Sequence, residues 1–158
     1  MSSGTSATPS PVRVLYVAGF ERSGSTILQN VLGLLPGFTP VGEVGFLWGR
    51  LAENRTRCGC GERVRDCSFW KRVLARVYPN FAEIPLNDFK AEEKDRRRDL
   101  IPLLLGREDA LRKQKLVYLK CLERLYLAIR NETGSRVVID ASKSPLYSCS
   151  LRLSLIHI

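Results

Sequence analysis

The stretch GFERSGST, residues 19–26, decides the fold, and it directly follows the apolar run VLYVA at residues 14–18. Two glycines separated by four residues, followed by two hydroxyl residues, give the spacing of a phosphate-binding loop, usually written G-x-x-x-x-G-K-[S/T]. Ser25 stands where that pattern has lysine. Because the lysine is the main partner of the terminal phosphates of a nucleoside triphosphate, we expect this loop to hold a shorter anionic group.

The segments around the loop predict an α/β fold. Residues 12–18 and 136–140 are apolar and β-branched, which is typical of buried parallel strands, and 38–41 indicate a further short strand. Helices are predicted at 26–35, 43–51, 69–78, 86–105 with a break at Pro102, 108–132, and from 144 to 152. This order predicts a P-loop-like parallel sheet flanked by helices.

The longest predicted helix, residues 108–132, has a regular apolar face. That face consists of Leu111, Tyr118, Leu122, Leu125 and Ile129. A face of this kind predicts that the helix packs against the core of the domain.

Composition narrows the classes of partner. The chain has 158 residues, 44% of them apolar, and a net charge of +9, which favours a globular domain with anionic partners. Aromatic residues do not alternate with the basic ones, so we expect no nucleic-acid partner. The sequence has no apolar run long enough to span a membrane and no secretory signal, which predicts a cytoplasmic protein.

The residue types in the loop suit an anion. Gly19 and Gly24 permit a tight backbone turn whose N–H groups and following helix N-terminus attract negative charge. Ser25 and Thr26 add hydroxyl donors, and the planar guanidinium of Arg22 can bind a sulfonate or phosphate through two hydrogen bonds. The loop is therefore predicted to be an anion site.

The wider stretch GFERSGSTILQNVLGLLPGFTPVGE, residues 19–43, resembles the 5′-phosphosulfate loop of sulfotransferases that use 3′-phosphoadenosine 5′-phosphosulfate (PAPS). It is similar to tyrosylprotein sulfotransferases and to bacterial sulfotransferases. CGCGERVRDCSFW at 58–70 and VVIDASKSP at 137–145 also resemble bacterial segments, so the resemblance covers residues 12–152. The family pattern G-x-x-R-S-G-[S/T]-[S/T] is matched by Gly19, Arg22, Ser23, Gly24, Ser25 and Thr26.

The resemblance implies transfer of a sulfonate from PAPS to a hydroxyl or amine acceptor without a metal. It implies that Glu43, in the Gly-Glu that follows the first helix, is the catalytic base, and that Lys143 contacts the sulfonate or the leaving phosphate. Ser142 is expected to help orient the donor. The sequence does not identify the acceptor.

Two features depart from the family pattern. The Arg and Ser that hold the 3′-phosphate, in a stretch like R-D-P-R after the next strand, are absent. The final six residues, LSLIHI at 153–158, equal the translation of a transposon sequencing adapter, which indicates a non-native tail on a shortened gene. We therefore expect weak donor binding and no turnover by this chain, and we expect residues 1–11 to be a disordered tail.

Two other functions are open. Asp140 ends an apolar strand as the magnesium-binding aspartate of a nucleotide kinase or NTPase does, although the missing loop lysine argues against that class. The domain could also bind anions without catalysis. Cys58, Cys60 and Cys67 form a cluster, but C-x-C spacing is poor for zinc, so buried thiols or a local disulfide are favoured and no metal is predicted.

Overall fold

The computed structural model describes residues 12–94 and 96–154, and these contain a parallel sheet of three strands. The strands are β1 (Arg13–Ala18), β2 (Phe38–Pro40) and β3 (Val137–Lys143), in the order β1-β3-β2. Both outer strands run parallel to β3, and Leu15 and Pro40 lie opposite Ile139 in the register. The predicted α/β class with a parallel sheet flanked by helices is therefore confirmed at this level.

The central strand β3 is closed to solvent along its interior. Its residues from Val138 to Ser142 are all buried, as expected for a strand with neighbours on both edges and helices against it. β3 also continues beyond the predicted end at Asp140, so that Ser142 and Lys143 are its last residues. Two of the predicted site residues thereby stand at the carboxyl edge of the sheet.

Helices connect and cover the strands, and most begin and end close to the predicted positions. They are α1 (Ser25–Leu32), α2 (Leu47–Glu53), α3 (Ser68–Val77), α4 (Leu86–Lys94), α5 (Leu100–Leu104), α6 (Glu108–Gln114), α7 (Leu116–Thr133) and α8 (Pro145–Leu153). A turn of 3₁₀ helix, Val44–Phe46, precedes α2. No helix in the described part of the chain combines the length and apolar character needed to cross a membrane.

The main core lies between the sheet and helices α2, α3 and α7. Its fully buried side chains include Trp48, Leu51, Val73, Leu122, Leu125 and Ile129. The predicted apolar face of residues 108–132 is confirmed as buried, although Leu111 packs with Leu119 and Leu153 in a separate small cluster. Helix α1 has an exposed apolar side, where Ile27 and Val31 are 71% and 57% exposed.

The two predicted tails lie mostly outside the described residues. Residues 1–11 and 155–158 are not among them. Leu153, where the non-native tail was expected to begin, is the last residue of α8, and its side chain is buried against Leu111 and Leu119.

The single helix predicted over residues 108–132 is wrong, because the chain forms α6 and α7 with a break at Lys115. The backbone of Lys115 leaves helical geometry, with φ −103° and ψ 15°. Its buried ammonium lies 2.5 Å from a carboxylate oxygen of Glu92 and 2.7 Å from one of Asp99. A buried ammonium requires such counter-charges, and they come from distant segments that the periodicity of 108–132 does not reveal.

The helix break predicted at Pro102 is also misplaced. Pro102 lies inside α5, in its first turn, where a backbone N–H would have no acceptor within that α-helix. The change of helix type occurs earlier, at the 3₁₀ segment Arg96–Asp99.

Replacing Lys115 by methionine should strongly destabilise the protein, because it removes the buried ammonium that pairs with Glu92 and Asp99. We expect the free energy of unfolding to fall by about 3–5 kcal/mol, the usual cost of removing one partner of a buried ion pair. The control Lys113→Met lies on the exposed side of α6 and should change it by less than about 0.5 kcal/mol. Urea unfolding followed by tryptophan fluorescence measures both, and equal losses in the two variants would contradict the prediction.

Candidate functional site

The segments that follow the three strands form one open cleft of about 540 Å³ at the carboxyl edge of the sheet. Parallel α/β sheets place ligands at this edge, since the loops after each strand converge there. The cleft is lined by Gly19, Phe20, Glu21, Glu43, Phe46, Arg50, Ser142, Lys143, Ser144 and Pro145. The structure thus brings the predicted loop together with Glu43, Ser142 and Lys143.

The loop between β1 and α1 has the backbone of an anion-binding turn. Arg22 and Gly24 both have left-handed conformations, with φ of 60° and 77°. Gly24 is the N-cap of α1 and supplies no side-chain cap, and the first turn of α1 has no acidic residue. The first N–H groups of the helix therefore have no acceptor within the helix and are available to a bound anion.

The loop is anchored to the end of the neighbouring strand. The N–H of Gly19 donates to the carbonyl of Lys143 at 3.3 Å, and the N–H of Ser23 donates to the carbonyl of Phe20 at 3.3 Å. Of the predicted binding residues, Gly19 lines the cleft and Ser25 is buried. Arg22, Ser23, Gly24 and Thr26 are exposed in the same turn. The side chain of Arg22 contacts no partner within the described residues, which leaves its guanidinium free to turn towards an anion.

Glu43 lies between two cations. One of its carboxylate oxygens accepts a hydrogen bond from the ammonium of Lys143 at 2.8 Å, and the other accepts one from the guanidinium of Arg50. Burial acts to raise the pKa of Glu43, but the hydrogen bond from Lys143 and the charge of Arg50 outweigh it and hold the pKa below its ordinary value. Glu43 is therefore an ionised carboxylate with reduced basicity while both partners are in place.

Lys143 has an unusual backbone at the end of β3. Its φ of 63° places a residue with a side chain in the left-handed region, which costs on the order of 1–3 kcal/mol. The turn is fixed by Tyr16, whose hydroxyl donates to the carbonyl of Ser144 at 2.7 Å. This conformation ends the strand and places the Lys143 side chain against Glu43 at the cleft.

Behind the cleft, Asp140 is a fully buried carboxylate whose two oxygens both accept hydrogen bonds. One accepts from the N–H of Ser142 at 2.8 Å and from the Ser142 hydroxyl, and the other accepts from the hydroxyl of Tyr126. The Tyr126 hydroxyl lies 3.1 Å from that of Tyr147. Burial raises the pKa of Asp140 to about 6, although the hydrogen bonds from Ser142 and Tyr126 act in the opposite direction.

The hydroxyl of Ser142 links this network to the loop that carries Glu43. It donates to Asp140 and accepts from the N–H of Gly45 at 2.7 Å. Ser142 is predicted to orient the donor, but both of these bonds lie within the protein. Its hydroxyl therefore positions the segment that carries Glu43, and its effect on a donor would be indirect.

The absence of a side chain at Gly45 allows the segment that follows Glu43 to lie close to Ser142 and Tyr147. A Cβ atom built at Gly45 would lie 2.8 Å from the Tyr147 ring and 3.0 Å from the Ser142 side chain. Neither neighbour can move easily, because both are buried and hydrogen-bonded.

The sequence interpretation missed Arg50, Gly45, Tyr126 and Tyr147. Arg50 could have been found, since it follows Glu43 by seven residues in a predicted helix, which places the two side chains two turns apart on one face. Tyr126 and Tyr147 lie within the helices predicted over 108–132 and 144–152, and neither was predicted to belong to the site. No sequence signal shows that their hydroxyls converge on Asp140.

Comparison of this chain with protein-family models, with curated proteins and with solved structures found no match. The geometry of the cleft is therefore the basis for the functional proposals that follow.

The raised pKa of Asp140 predicts a specific pH dependence of stability. The folded protein holds the Asp140 proton up to about pH 6, whereas the unfolded chain releases it near pH 3.8. The contribution of Asp140 to the free energy of unfolding should therefore decrease as the pH rises through this window, by roughly 3 kcal/mol in total. Asp140→Asn keeps an acceptor for the Ser142 N–H and should lack the decrease.

The test is urea unfolding of wild type and Asp140→Asn between pH 4 and 7. The difference between the two removes the opposite contribution of Glu43, whose lowered pKa adds stability above its unfolded value. A difference that does not change with pH would contradict the prediction.

Gly45→Ala should disturb the site through overpacking. We expect a loss of about 1–3 kcal/mol in the free energy of unfolding, the usual cost of extra volume in a packed region. The control Gly59→Ala places its methyl group in open space and should change stability by less than about 0.5 kcal/mol. Thermal unfolding of both variants measures this, and an unaffected Gly45→Ala would show that the loop can shift.

Proposed function

We propose that this chain carries the 5′-phosphosulfate part of the donor site of a PAPS-dependent sulfotransferase on a P-loop-like fold, an enzyme that transfers a sulfonate to a hydroxyl or amine acceptor; without the 3′-phosphate residues, the chain itself is expected not to turn over. The observation that supports this most is the meeting of the β1–α1 loop, Glu43 and Lys143 in one cleft. Sulfonate transfer requires hydrogen-bond donors that hold the anionic donor, a carboxylate that accepts a proton, and a cation that stabilises the developing negative charge.

The cleft and the adjoining part of the β1–α1 loop fit a short anionic tail. The uncapped N-terminus of α1 offers backbone N–H groups, and Arg22 adds a guanidinium in the exposed part of the loop. The ammonium of Lys143 lies in the cleft itself. Together these groups would hold the 5′-phosphosulfate end of the donor. Glu21 also lines the cleft, and its negative charge would favour a position of the anion nearer to Lys143.

Glu43 and Lys143 would act through an exchange of partners. In the structure Lys143 is paired with Glu43. An arriving sulfonate competes for the same ammonium, and its capture of Lys143 would remove one of the cations that hold the pKa of Glu43 low. Glu43 would then become a stronger base, while Arg50 keeps its other oxygen oriented. Binding of the donor would thereby make Glu43 better able to take the proton of the acceptor.

The transfer itself is an in-line displacement at sulfur. The acceptor forms a new bond to sulfur as the bond from sulfur to the bridging oxygen breaks, and the electron pair of that bond leaves with the phosphate. Lys143 would stabilise the charge that develops on the leaving oxygen. Glu43 would take the proton of the attacking hydroxyl or amine.

The burial of Asp140 argues against the kinase or NTPase alternative. A magnesium ligand must present an oxygen to the bound nucleotide, whereas both oxygens of Asp140 accept hydrogen bonds within the protein. The loop also lacks the lysine that such enzymes use on the terminal phosphates. Anion binding without catalysis is the remaining alternative.

Binding of adenosine 5′-phosphosulfate and of PAPS to the chain in EDTA tests the donor site. Both should bind with similar affinity, because only the 5′ end of the donor is assigned to residues of this chain. In proton–nitrogen correlation spectra the amide signals of Gly19, Gly24, Ser25 and Thr26 should shift. Lys143→Met should weaken binding by about 10- to 100-fold, since it removes a charged hydrogen bond.

Two variants sharpen this test. Lys120→Met removes an exposed charge on α7 and should leave binding unchanged. Glu43→Gln should keep or strengthen binding, since it frees Lys143 from its competing carboxylate. Tighter binding of ATP with magnesium than of either sulfonucleotide would favour the kinase alternative. Absence of binding by all three ligands would overturn the proposed donor site.

A further inference from the structure

A cluster of three cysteines lies outside the cleft, in a hairpin that leads into α3. The hairpin closes at an antiparallel bridge between Arg57 and Arg63. The Sγ atom of Cys67 lies 3.6 Å from that of Cys58 and 3.6 Å from that of Cys60, and all three sulfurs lie within 4.8 Å of one another. The hairpin therefore places the Cys67 thiol next to the thiols of Cys58 and Cys60. The C-x-C spacing alone does not predict this proximity.

These distances suit metal coordination better than a disulfide. A disulfide requires the two sulfurs to be about 2.05 Å apart, and all three cysteines are free thiols. Sulfurs bound to a tetrahedral zinc ion at about 2.3 Å lie about 3.8 Å from each other. Both observed separations of 3.6 Å lie close to that edge length. A disulfide would also use only two of the sulfurs.

The backbone of the hairpin is arranged around the sulfurs. The N–H of Cys58 donates to the carbonyl of Glu62 at 2.7 Å, and the N–H of Gly61 donates to the carbonyl of Cys58 at 2.9 Å, which closes a tight turn. The N–H of Cys60 donates to the sulfur of Cys58, and the N–H of Glu62 donates to the sulfur of Cys60. These bonds fix the backbone that carries the sulfurs of Cys58 and Cys60.

Cys67 connects the cluster to the rest of the fold. It is the N-cap residue of α3. Its side chain is buried in the main core, whereas Cys60 is exposed. An ion held by the three sulfurs would tie the exposed hairpin to the start of a core helix.

We propose that Cys58, Cys60 and Cys67 are the ligands of a structural metal site that binds Zn²⁺. Within the described residues the group consists of these three cysteines, so a fourth ligand from outside the group would complete a tetrahedral site. None of the three lines the cleft, which makes the site independent of the proposed sulfonate transfer. Its role is to hold the hairpin against α3.

Titration of the reduced, metal-free chain with Zn²⁺, and with Co²⁺ as a spectroscopic probe, tests the site. We expect one ion per chain, with the thiolate-to-cobalt charge-transfer absorption in the near ultraviolet. Cys58→Ser, Cys60→Ser and Cys67→Ser should each lower the affinity by about 100-fold or more, because even an outer-shell partner is worth about 10- to 100-fold. Cys149→Ser, a half-buried cysteine on α8, is the matched control and should bind normally.

Thiol protection in the wild-type chain supplies a second measurement that needs no variant. Zn²⁺ should protect Cys58, Cys60 and Cys67 from alkylation, as located by peptide mass analysis, and leave the half-buried Cys149 as reactive as before. Alkylation that is unchanged by Zn²⁺, or a Co²⁺ spectrum without thiolate absorption, would overturn the proposal. Tight binding of Cu⁺ with no measurable binding of Zn²⁺ would also overturn it.

Discussion

The burial of Asp140 in the central strand is the constraint on which the candidate site depends. A carboxylate closed to solvent must have its oxygens hydrogen-bonded, and here Ser142 and Tyr126 supply those bonds. The hydrogen bonds from Ser142 to Asp140 therefore fix the last residues of β3. The Ser142 hydroxyl also accepts from the N–H of Gly45 and so fixes Gly45. The segment that carries Glu43 is thus held against the strand that carries Lys143.

This arrangement separates two kinds of charge. The network of Asp140 is enclosed, and its raised pKa reflects the loss of solvent. The group of Glu43, Lys143 and Arg50 is half-buried at the cleft, and each of its pairs can be exchanged for a ligand. The buried Asp140 network can fix the positions of the surrounding segments without contacting a ligand. The cleft group of Glu43, Lys143 and Arg50 can exchange its ion pairs for a ligand without disturbing the fold.

The parts predicted correctly are those in which local sequence and tertiary structure agree. The apolar β-branched runs before Gly19 and around Ile139 predicted the strands, and the order of segments predicted parallel pairing. The break at Lys115 has no local signal, and the carboxylates that pair with its ammonium, Glu92 and Asp99, lie in other segments. Arg50 belongs to no motif, and its spacing of seven residues from Glu43 is its one sequence signal.

Helices α1 and α3 both start without a side-chain cap, but the two starts are proposed to lie next to ligands of opposite charge. Neither helix has a side-chain cap or an acidic residue in its first turn, whereas α8 is capped by the Ser144 hydroxyl, which accepts from the N–H of Tyr147. Uncapped N–H groups attract negative charge. At Gly24 no side chain supplies it, so an external anion is favoured, but at Cys67 the protein brings its own sulfur. The proposed anion at α1 and the proposed metal ion at α3 would therefore make different use of the same kind of helix start.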